Sequence, residues 1–264
     1  MFTNLTIKQI EKKMKQLPID EWSGLIENLF KDKRKGVQNL AGRLEKKLVS
    51  WEREKERLRE MQIWEMVLYK KGYNFIAGLD EAGRGPLAGP VVAACVILPL
   101  NYNLPGLNDS KKLSAEQRER LARLIKKAAV AYSVGVVNHY EIDCLNIRAA
   151  TQKAMVKAVD SLSITPDYLL IDALEIKSSI PQESIIRGDQ QCAAIAAASI
   201  LAKTTRDALM DFLDSFYPQY GFKQNKGYGT TQHFSALREY GPSDVHRRSF
   251  LKRLAEIGNR DLSL

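Results

Sequence analysis

The stretch FIAGLDEAGRGP, residues 75–86, decides the fold, because an apolar run stops there at two adjacent acids. Residues 75–79 have the composition of a buried strand, and the glycines that follow allow a sharp turn. Ligands gather where the strands of α/β sheets end. Asp80 and Glu81 are therefore candidates for a catalytic or metal-binding pair. An ordinary helix cap or a surface pair is the alternative.

Four further apolar runs predict more strands of the same sheet, and helical patterns alternate with the later ones. Sequential strands followed by alternating helix and strand predict an α/β fold. Its sheet is mixed, with an antiparallel meander extended by parallel strands and flanked by helices. The predicted strands are residues 75–79, 91–98, 131–137, 168–172 and 184–187, and the predicted helices among them and after them are residues 114–129, 139–162, 190–216, 231–240 and 250–257.

The first part of the chain has a different texture. Residues 1–72 hold 17 Lys and Arg against 11 Asp and Glu, a net charge of +6, whereas residues 73–264 have a net charge of +3. Helical spacing begins after Thr6, which has the spacing of a capping box with Gln9. We expect a basic helical N-terminal extension, residues 1–72, before a catalytic domain, residues 73–264. The end of that domain, from about residue 215, is predicted to be helical.

The whole chain has a net charge of +9, which favours a polyanionic partner such as nucleic acid, although charge also serves solubility. The three cysteines, Cys95, Cys144 and Cys192, are scattered, so they predict neither a disulfide framework nor a zinc site, and a reducing compartment fits them. No apolar stretch is long enough to cross a bilayer. We expect a cytoplasmic protein that binds nucleic acid and no membrane.

Two further acids, Asp172 and Asp189, follow apolar strand residues as Asp80 does. Hydrolysis of a phosphodiester needs an activated water and neutralisation of an anionic transition state, and two divalent ions held by three or four carboxylates supply both. Adjacent strand residues point to opposite faces. Asp80 and Glu81 can therefore share a metal site only where the strand ends, or where the Glu81 carbonyl is a ligand. Helix capping is again the alternative.

Three glycine-rich or lysine-rich motifs offer groups that bind nucleic acid. A glycine-flanked arginine exposes backbone N–H groups beside a guanidinium, lysines before a helix start suit phosphate, and a tyrosine between glycines offers a ring to a sugar or base. Each motif is also compatible with a plain turn or a solvated charge pair. The candidate residues are Gly83, Arg84, Gly85, Lys111, Lys112 and Tyr228.

Together these motifs resemble, in family order, those of bacterial type 2 ribonuclease H (ribonuclease HII). The resemblance extends over about residues 75–250 and includes ASILAK at residues 198–203 and HRRSF at residues 246–250. It implies a ribonuclease H-like five-stranded sheet and a site for two Mn²⁺ or Mg²⁺ ions. The implied catalytic and metal-binding residues are Asp80, Glu81, Asp172 and Asp189.

The resemblance also implies an activity. The glycine-arginine-glycine turn and Tyr228 would recognise the 2′-hydroxyl at an RNA–DNA junction, and Lys203 would join the other lysines in binding substrate. The enzyme would cut the RNA strand of RNA–DNA hybrids, and duplex DNA on the 5′ side of an embedded ribonucleotide, leaving 3′-hydroxyl and 5′-phosphate ends. Its role would be the removal of misincorporated ribonucleotides and RNA primers, and we expect it to be a monomer.

The chain departs from the family pattern after two of the acids. ALEI at residues 173–176 stands where many relatives have a turn with glycine or asparagine, and QQC at residues 190–192 follows Asp189. Two alternatives stay open. One is a type 3 ribonuclease H, which shares the fold and the acids but lacks the glycine-arginine-glycine turn. The other is a nonenzymatic hybrid-binding protein that acts through the charged helical pattern of residues 37–71.

Overall fold

The computed structural model describes residue 2 and residues 5–256, with side chains as far as residue 252. The chain separates into two compact units, Met1–Glu60 and Met61–Leu264. The division therefore falls earlier in the chain than the boundary expected at residue 72. The predicted last residue of the C-terminal helix, Ile257, lies outside the described residues.

The first unit is built from three helices, α1 (Ile7–Gln16), α2 (Trp22–Phe30) and α3 (Lys35–Glu60). The predicted capping box is confirmed, because the Gln9 N–H donates to the Thr6 hydroxyl oxygen (3.3 Å) and the Thr6 N–H donates to Gln9 Oε1 (2.8 Å). The apolar faces of the helices share one core, whose fully buried members include Ile10, Met14, Leu29, Val37, Leu40 and Ala41.

The second unit contains one five-stranded sheet. Its strands are β1 (Ile76–Ala82), β2 (Val91–Ile97), β3 (Ala131–Val137), β4 (Tyr168–Asp172) and β5 (Gln182–Ile185). Their order in the sheet is β3-β2-β1-β4-β5. The first three strands are antiparallel, whereas β4 runs parallel to both β1 and β5. The predicted mixed sheet is confirmed.

Eight helices surround this sheet in the described part of the second unit: α4 (Ile63–Lys70), α5 (Ala115–Ala128), α6 (His139–Leu145), α7 (Ile147–Asp160), α8 (Ala193–Asp214), α9 (Phe222–Asn225), α10 (Thr231–Tyr240) and α11 (Arg248–Glu256). No helix among the described residues is long and apolar enough to span a bilayer.

Three sequence predictions of local structure were wrong in detail. The fifth strand ends at Ile185, not at Arg187, because Arg187 is left-handed (φ +56°). The helix predicted for residues 139–162 breaks at Asn146 (φ +72°), whose side chain then caps α7. The helical pattern of residues 37–71 stops at Glu60 and resumes in α4.

Helix α4 packs within the second unit. Glu65 Oε1 accepts the Ala194 N–H (2.9 Å) at the start of α8, and the Cys192 thiol lies 3.4 Å from the same oxygen. Leu68 joins a cluster with Ile76 of β1 and Ile195 of α8. These buried contacts explain why the second unit begins before residue 72.

The two long helices α7 and α8 lie on opposite faces of the sheet, and two glycines allow their close approach. A Cβ on Gly78 of β1 would overlap the backbone of Ala194 in α8. A Cβ on Gly135 of β3 would likewise overlap the backbone of Ala154 in α7. Helix α8 is thus seated directly on the strand that carries Asp80 and Glu81.

Candidate active site

Asp80 and Asp172 lie side by side on two parallel strands. Leu79 of β1 pairs with Ile171 of β4, and each acid is the next residue on its strand. Since side chains alternate along a strand, both acids project toward the face that carries α8. Asp80 is buried, with 4% of its surface exposed, and the Ser199 hydroxyl of α8 hydrogen-bonds to it.

Glu81 reaches the same cleft although β1 does not end beside it. The strand continues to Ala82, so an early strand end is not what brings the two acids together. The Glu81 N–H donates to Asp80 Oδ1 (2.7 Å), and Arg84 Nη1 donates to Glu81 Oε1 (3.2 Å). The second carboxylate oxygen, Glu81 Oε2, is buried and has no hydrogen-bond partner in the described part of the chain.

Asp189 comes from a short turn that follows β5. Its carboxylate lies 3.7 Å from Lys111 Nζ, and it is close enough to Asp109 for that charge to raise its pKa. Asp172 Oδ1 accepts the Gly188 N–H (2.7 Å), which ties this turn to the end of β4. Asp189 does not line the cleft itself, but its charge interacts with that of Asp172.

Every one of these four acids has a raised pKa. Burial is the largest cause for each of them, and it raises the pKa of Asp80 well above its ordinary value, with the charges of Glu81 and Asp172 adding to the effect. For Asp189, burial and then the Asp109 and Asp172 charges raise the pKa to about 6. The site therefore holds more negative charge than its neighbours neutralise.

A hard divalent cation fits this donor set. Mg²⁺ and Mn²⁺ prefer carboxylate oxygens, and a buried oxygen without a partner, Glu81 Oε2, is available beside Asp80. In the side-chain positions of the described residues, no group of three or more His, Cys, Asp or Glu is already arranged to hold an ion. The chemistry of the acids thus fits a metal, and their side chains would have to converge on it.

A cleft of about 260 Å³ opens over the acids. It brings together most of the residues that sequence reasoning selected, but not Lys112 or Asp189. A larger groove of about 510 Å³, between α5 and α8, contains none of the selected residues. The cleft is lined by Asp80, Glu81, Ala82, Gly83, Arg84, Gly85, Ser110, Lys111, Asp172, Ser199, Lys203 and Tyr228.

The glycine-arginine-glycine turn and Tyr228 face each other in this cleft. Gly83 has φ +96°, and a Cβ there would overlap the Arg206 side chain. The space above Gly85 is open, and a Cβ there would meet only the Tyr228 ring, at 3.6 Å. Tyr228 is 45% exposed, so one side of its ring is free to contact a ligand.

The three lysines differ in their surroundings. Lys203 lines the cleft and pairs with Asp207, which lies one helical turn further along α8 (2.6 Å). Lys111 reaches over the cleft with 79% of its side chain exposed. Lys112 is exposed outside the cleft, so the structure separates it from the other two.

Sequence reasoning missed several buried polar residues that shape the site. Arg206 and Arg247 are completely buried. Arg247 donates to the Gly83 carbonyl, and the Arg206 side chain packs against Gly83. The Ser110 and Ser199 hydroxyls hydrogen-bond to each other (2.9 Å) beside Asp80. Ser199 and Arg247 lie within the motifs ASILAK and HRRSF, and Ser110 precedes Lys111. Nothing in the sequence, however, shows that these polar side chains are buried.

The sheet order, the acids on β1 and β4, and the cleft above them define an α/β protein with a ribonuclease H-like fold. This agrees with a solved structure, ribonuclease H2 from Pyrococcus horikoshii OT3, which is 26% identical, with a TM-score of 0.59, and covers 72% of this chain and 99% of its own.

The family model for Ribonuclease HII matches residues 77–253, and that for the Ribonuclease HII N-terminal domain matches residues 6–69. Ribonuclease HII from Geobacillus sp. (strain WCH70) is 50% identical over 254 residues, which is 96% of this chain and 91% of the relative. Ribonuclease HII from Clostridioides difficile (strain 630) is 48% identical over 250 residues, 94% of this chain and 98% of the relative. The chain belongs to the ribonuclease HII family.

Proposed function

We propose that the protein is an endoribonuclease that cuts the RNA strand of RNA–DNA hybrids and cuts duplex DNA at embedded ribonucleotides. The observation that carries this proposal is the meeting of three acids, Asp80, Glu81 and Asp172, with the glycine-arginine-glycine turn and Tyr228 in one cleft. Acids alone would suit many metal-dependent hydrolases. The glycine-arginine-glycine turn and the Tyr228 ring, which face each other, add a binding site for the sugar of a nucleotide.

The four acids would hold two Mn²⁺ or Mg²⁺ ions, which when bound supply an activated water and neutralise the charge of the transition state. Burial already raises the pKa of Asp80, so this carboxyl releases its proton most easily when a cation is near. The Ser199 hydroxyl and the Glu81 N–H both hydrogen-bond to the Asp80 carboxylate, so they fix its orientation.

Substrate contacts come from the other wall of the cleft. Gly85 leaves room for a sugar to approach the backbone, and Tyr228 faces the same space. The Arg84 guanidinium contacts Glu81 (3.2 Å), so the turn and the acids are joined by an ion pair. Lys203 and Lys111 line the cleft and would bind phosphates, whereas Lys112 would contact the substrate only outside the cleft.

The finer assignments rest on the family resemblance. Cleavage on the 5′ side of the ribonucleotide, with 3′-hydroxyl and 5′-phosphate ends, is what the resemblance implies for this site. The same activity would remove misincorporated ribonucleotides and RNA primers. The basic N-terminal helices would add electrostatic grip on duplex, as an accessory to the catalytic unit.

The decisive assay uses three duplexes: all-DNA, DNA with one embedded ribonucleotide, and DNA with a long ribonucleotide run. Each is tested with Mn²⁺, with Mg²⁺ and with chelator, and the cut is mapped. We expect metal-dependent cleavage of both ribonucleotide duplexes and none of all-DNA. Asp80→Asn should abolish cleavage and retain binding, since the isosteric amide removes only the charge.

Three results would count against parts of this proposal. Near-normal turnover by Asp80→Asn would show that the acids are not the catalytic residues. Cleavage of the ribonucleotide run but not of the single ribonucleotide would favour type 3 behaviour. The N-terminal unit is tested with a shortened chain that starts at Met61 and therefore keeps α4. If this shortened chain no longer binds duplex at all, residues 1–60 are the main binding site rather than an accessory.

A further inference from the structure

Two arginines, Arg206 and Arg247, are completely buried behind the cleft. Among the described residues, neither has a carboxylate within ion-pair distance. A buried charge without a partner is costly, and apolar side chains of similar volume would fill the same space more cheaply. Such residues are expected to have a use other than stability.

The hydrogen bonds of both guanidiniums go to backbone carbonyls, and these carbonyls belong to two neighbouring loops. Pro90 O accepts from both arginines, so the two cations share one oxygen. Arg247 donates to the carbonyls of Gly83 (2.6 Å), Arg84 (3.0 Å), Gly89 (3.0 Å) and Pro90 (3.2 Å), and Arg206 donates to those of Pro90 (3.0 Å), Lys226 (2.9 Å) and Ala88 (3.2 Å).

These contacts orient the peptide groups of the turn. In a trans peptide the C=O and the following N–H point in opposite directions. Because the Gly83 and Arg84 carbonyls point at Arg247, the N–H groups of Arg84 and Gly85 point away from it. Neither N–H has a hydrogen-bond partner among the described residues. The turn therefore offers free donors to a ligand in the cleft that its three residues line.

Arg206 also connects the turn to Tyr228. Its guanidinium lies 6.0 Å from the centre of the Tyr228 ring and holds the Lys226 carbonyl, two residues before that tyrosine. The absence of a Cβ on Gly83 makes room for the Arg206 side chain. One side chain thus sets the distance between the two parts of the cleft that would contact a sugar.

We propose that Arg206 and Arg247 are positioning residues, which hold residues 83–85 and Tyr228 in the arrangement that selects a ribonucleotide flanked by DNA. This inference rests on the proposed function. A single embedded ribonucleotide offers one 2′-hydroxyl, so its cleavage depends on correct placement of the turn. A long ribonucleotide run can bind in many positions along the cleft, each with a 2′-hydroxyl near the turn. Its cleavage is therefore less sensitive to a displaced turn.

The test compares Arg206→Lys and Arg247→Lys with a matched control, Arg248→Lys. Lysine keeps the charge, but it cannot span several carbonyls as the planar guanidinium does. Arg248 is exposed and its guanidinium contacts Pro242 O (3.3 Å), away from the turn. For each protein, kcat and KM are measured on the single-ribonucleotide duplex and on the ribonucleotide-run duplex.

We expect the ratio of kcat/KM, single ribonucleotide over run, to fall about tenfold or more in Arg206→Lys and Arg247→Lys, since misplacement of about 1 Å costs up to about a hundredfold in rate. Arg248→Lys should keep the ratio of the unaltered enzyme. An unchanged ratio in folded Arg206→Lys and Arg247→Lys would overturn the inference. If the unaltered enzyme cuts neither duplex, the proposed function fails instead.

A second measurement needs no variant, so it can overturn the inference even if the lysine variants do not fold. In the unaltered protein with chelator, NMR follows the backbone amides of Arg84 and Gly85 while each duplex is added. We expect both signals to shift more with the single-ribonucleotide duplex than with all-DNA. Equal shifts with both duplexes, or none, would overturn the inference.

Discussion

Replacement of Asp189 by asparagine should stabilise the metal-free protein at alkaline pH. In the folded protein, burial together with the Asp109 and Asp172 charges raises the pKa of Asp189 from 3.8 to about 6. Between these values the folded protein binds a proton that the unfolded chain has released. The contribution of Asp189 to the free energy of unfolding therefore falls as pH rises from about 4 to about 6. Above pH 6 the carboxylate is charged in both states, and its full destabilising effect, called the penalty below, is present.

The magnitude follows from the size of the shift. At about 1.4 kcal/mol for each pKa unit, the penalty is roughly 3 kcal/mol at pH 8 and about half of that at pH 5. Asparagine removes the penalty, and the attraction of Lys111 is already included in the pKa of about 6. Because solvent reaches part of this carboxyl and screens its interactions, the net effect is smaller than the full shift. Asp189→Asn should thus gain about 2 kcal/mol at pH 8 and about 1 kcal/mol at pH 5.

Urea unfolding in the presence of chelator, followed by circular dichroism at both pH values, measures this difference. Asp160→Asn is the control, because Asp160 is an exposed aspartate at the end of α7, outside the acidic site. The reasoning is refuted if Asp189→Asn is less stable than the unaltered protein at pH 8, or if its gain is equal at the two pH values.

Three further predictions concern the backbone and the metal. Ala173→Gly should raise the free energy of unfolding by about 1 kcal/mol, because Ala173 has φ +48°, and a lower melting temperature would contradict this. Gly78→Ala should destabilise by more than about 3 kcal/mol or prevent folding, because the new methyl overlaps the Ala194 backbone. The control Gly42→Ala, where the space is open, should stabilise the protein slightly. Equal melting temperatures of the two variants would contradict this prediction. Mn²⁺ at a hundredfold excess over its Kd should stabilise by about 2.7 kcal/mol, with a smaller effect in Asp80→Asn, and an equal rise in both proteins would place the ion elsewhere.

Most of the fold could be predicted because its signals are local. The strands β2, β3 and β4 and the helices α5 and α10 follow from apolar patterns and caps, and Ser114 forms the capping box that opens α5. The mixed sheet also follows, since sequential strands pair as a meander and later strands add in parallel. Patterns of this kind depend only on the residues of one helix or strand and of the elements next to it in sequence.

The parts that could not be predicted depend on distant contacts. Arg187 and Ala173 adopt left-handed conformations that neither residue type favours, and the surrounding loops impose them. Glu65 belongs to the sheet-containing unit only because it meets the start of α8. The burial of Arg206 and Arg247 is equally invisible, since the carbonyls that accept from them come from segments far away in sequence.

Helix α8 touches each functional part of the cleft in turn. Ser199 hydrogen-bonds to Asp80, Lys203 lines the cleft, and Arg206 packs against Gly83 of the glycine-arginine-glycine turn. At 1.5 Å for each residue, the first and last of these lie about 10 Å apart along a rigid axis. If cleavage takes place at the acids and the turn binds the ribose, helix α8 fixes the distance between these two sites. The scissile bond must then lie at a constant distance from the ribonucleotide.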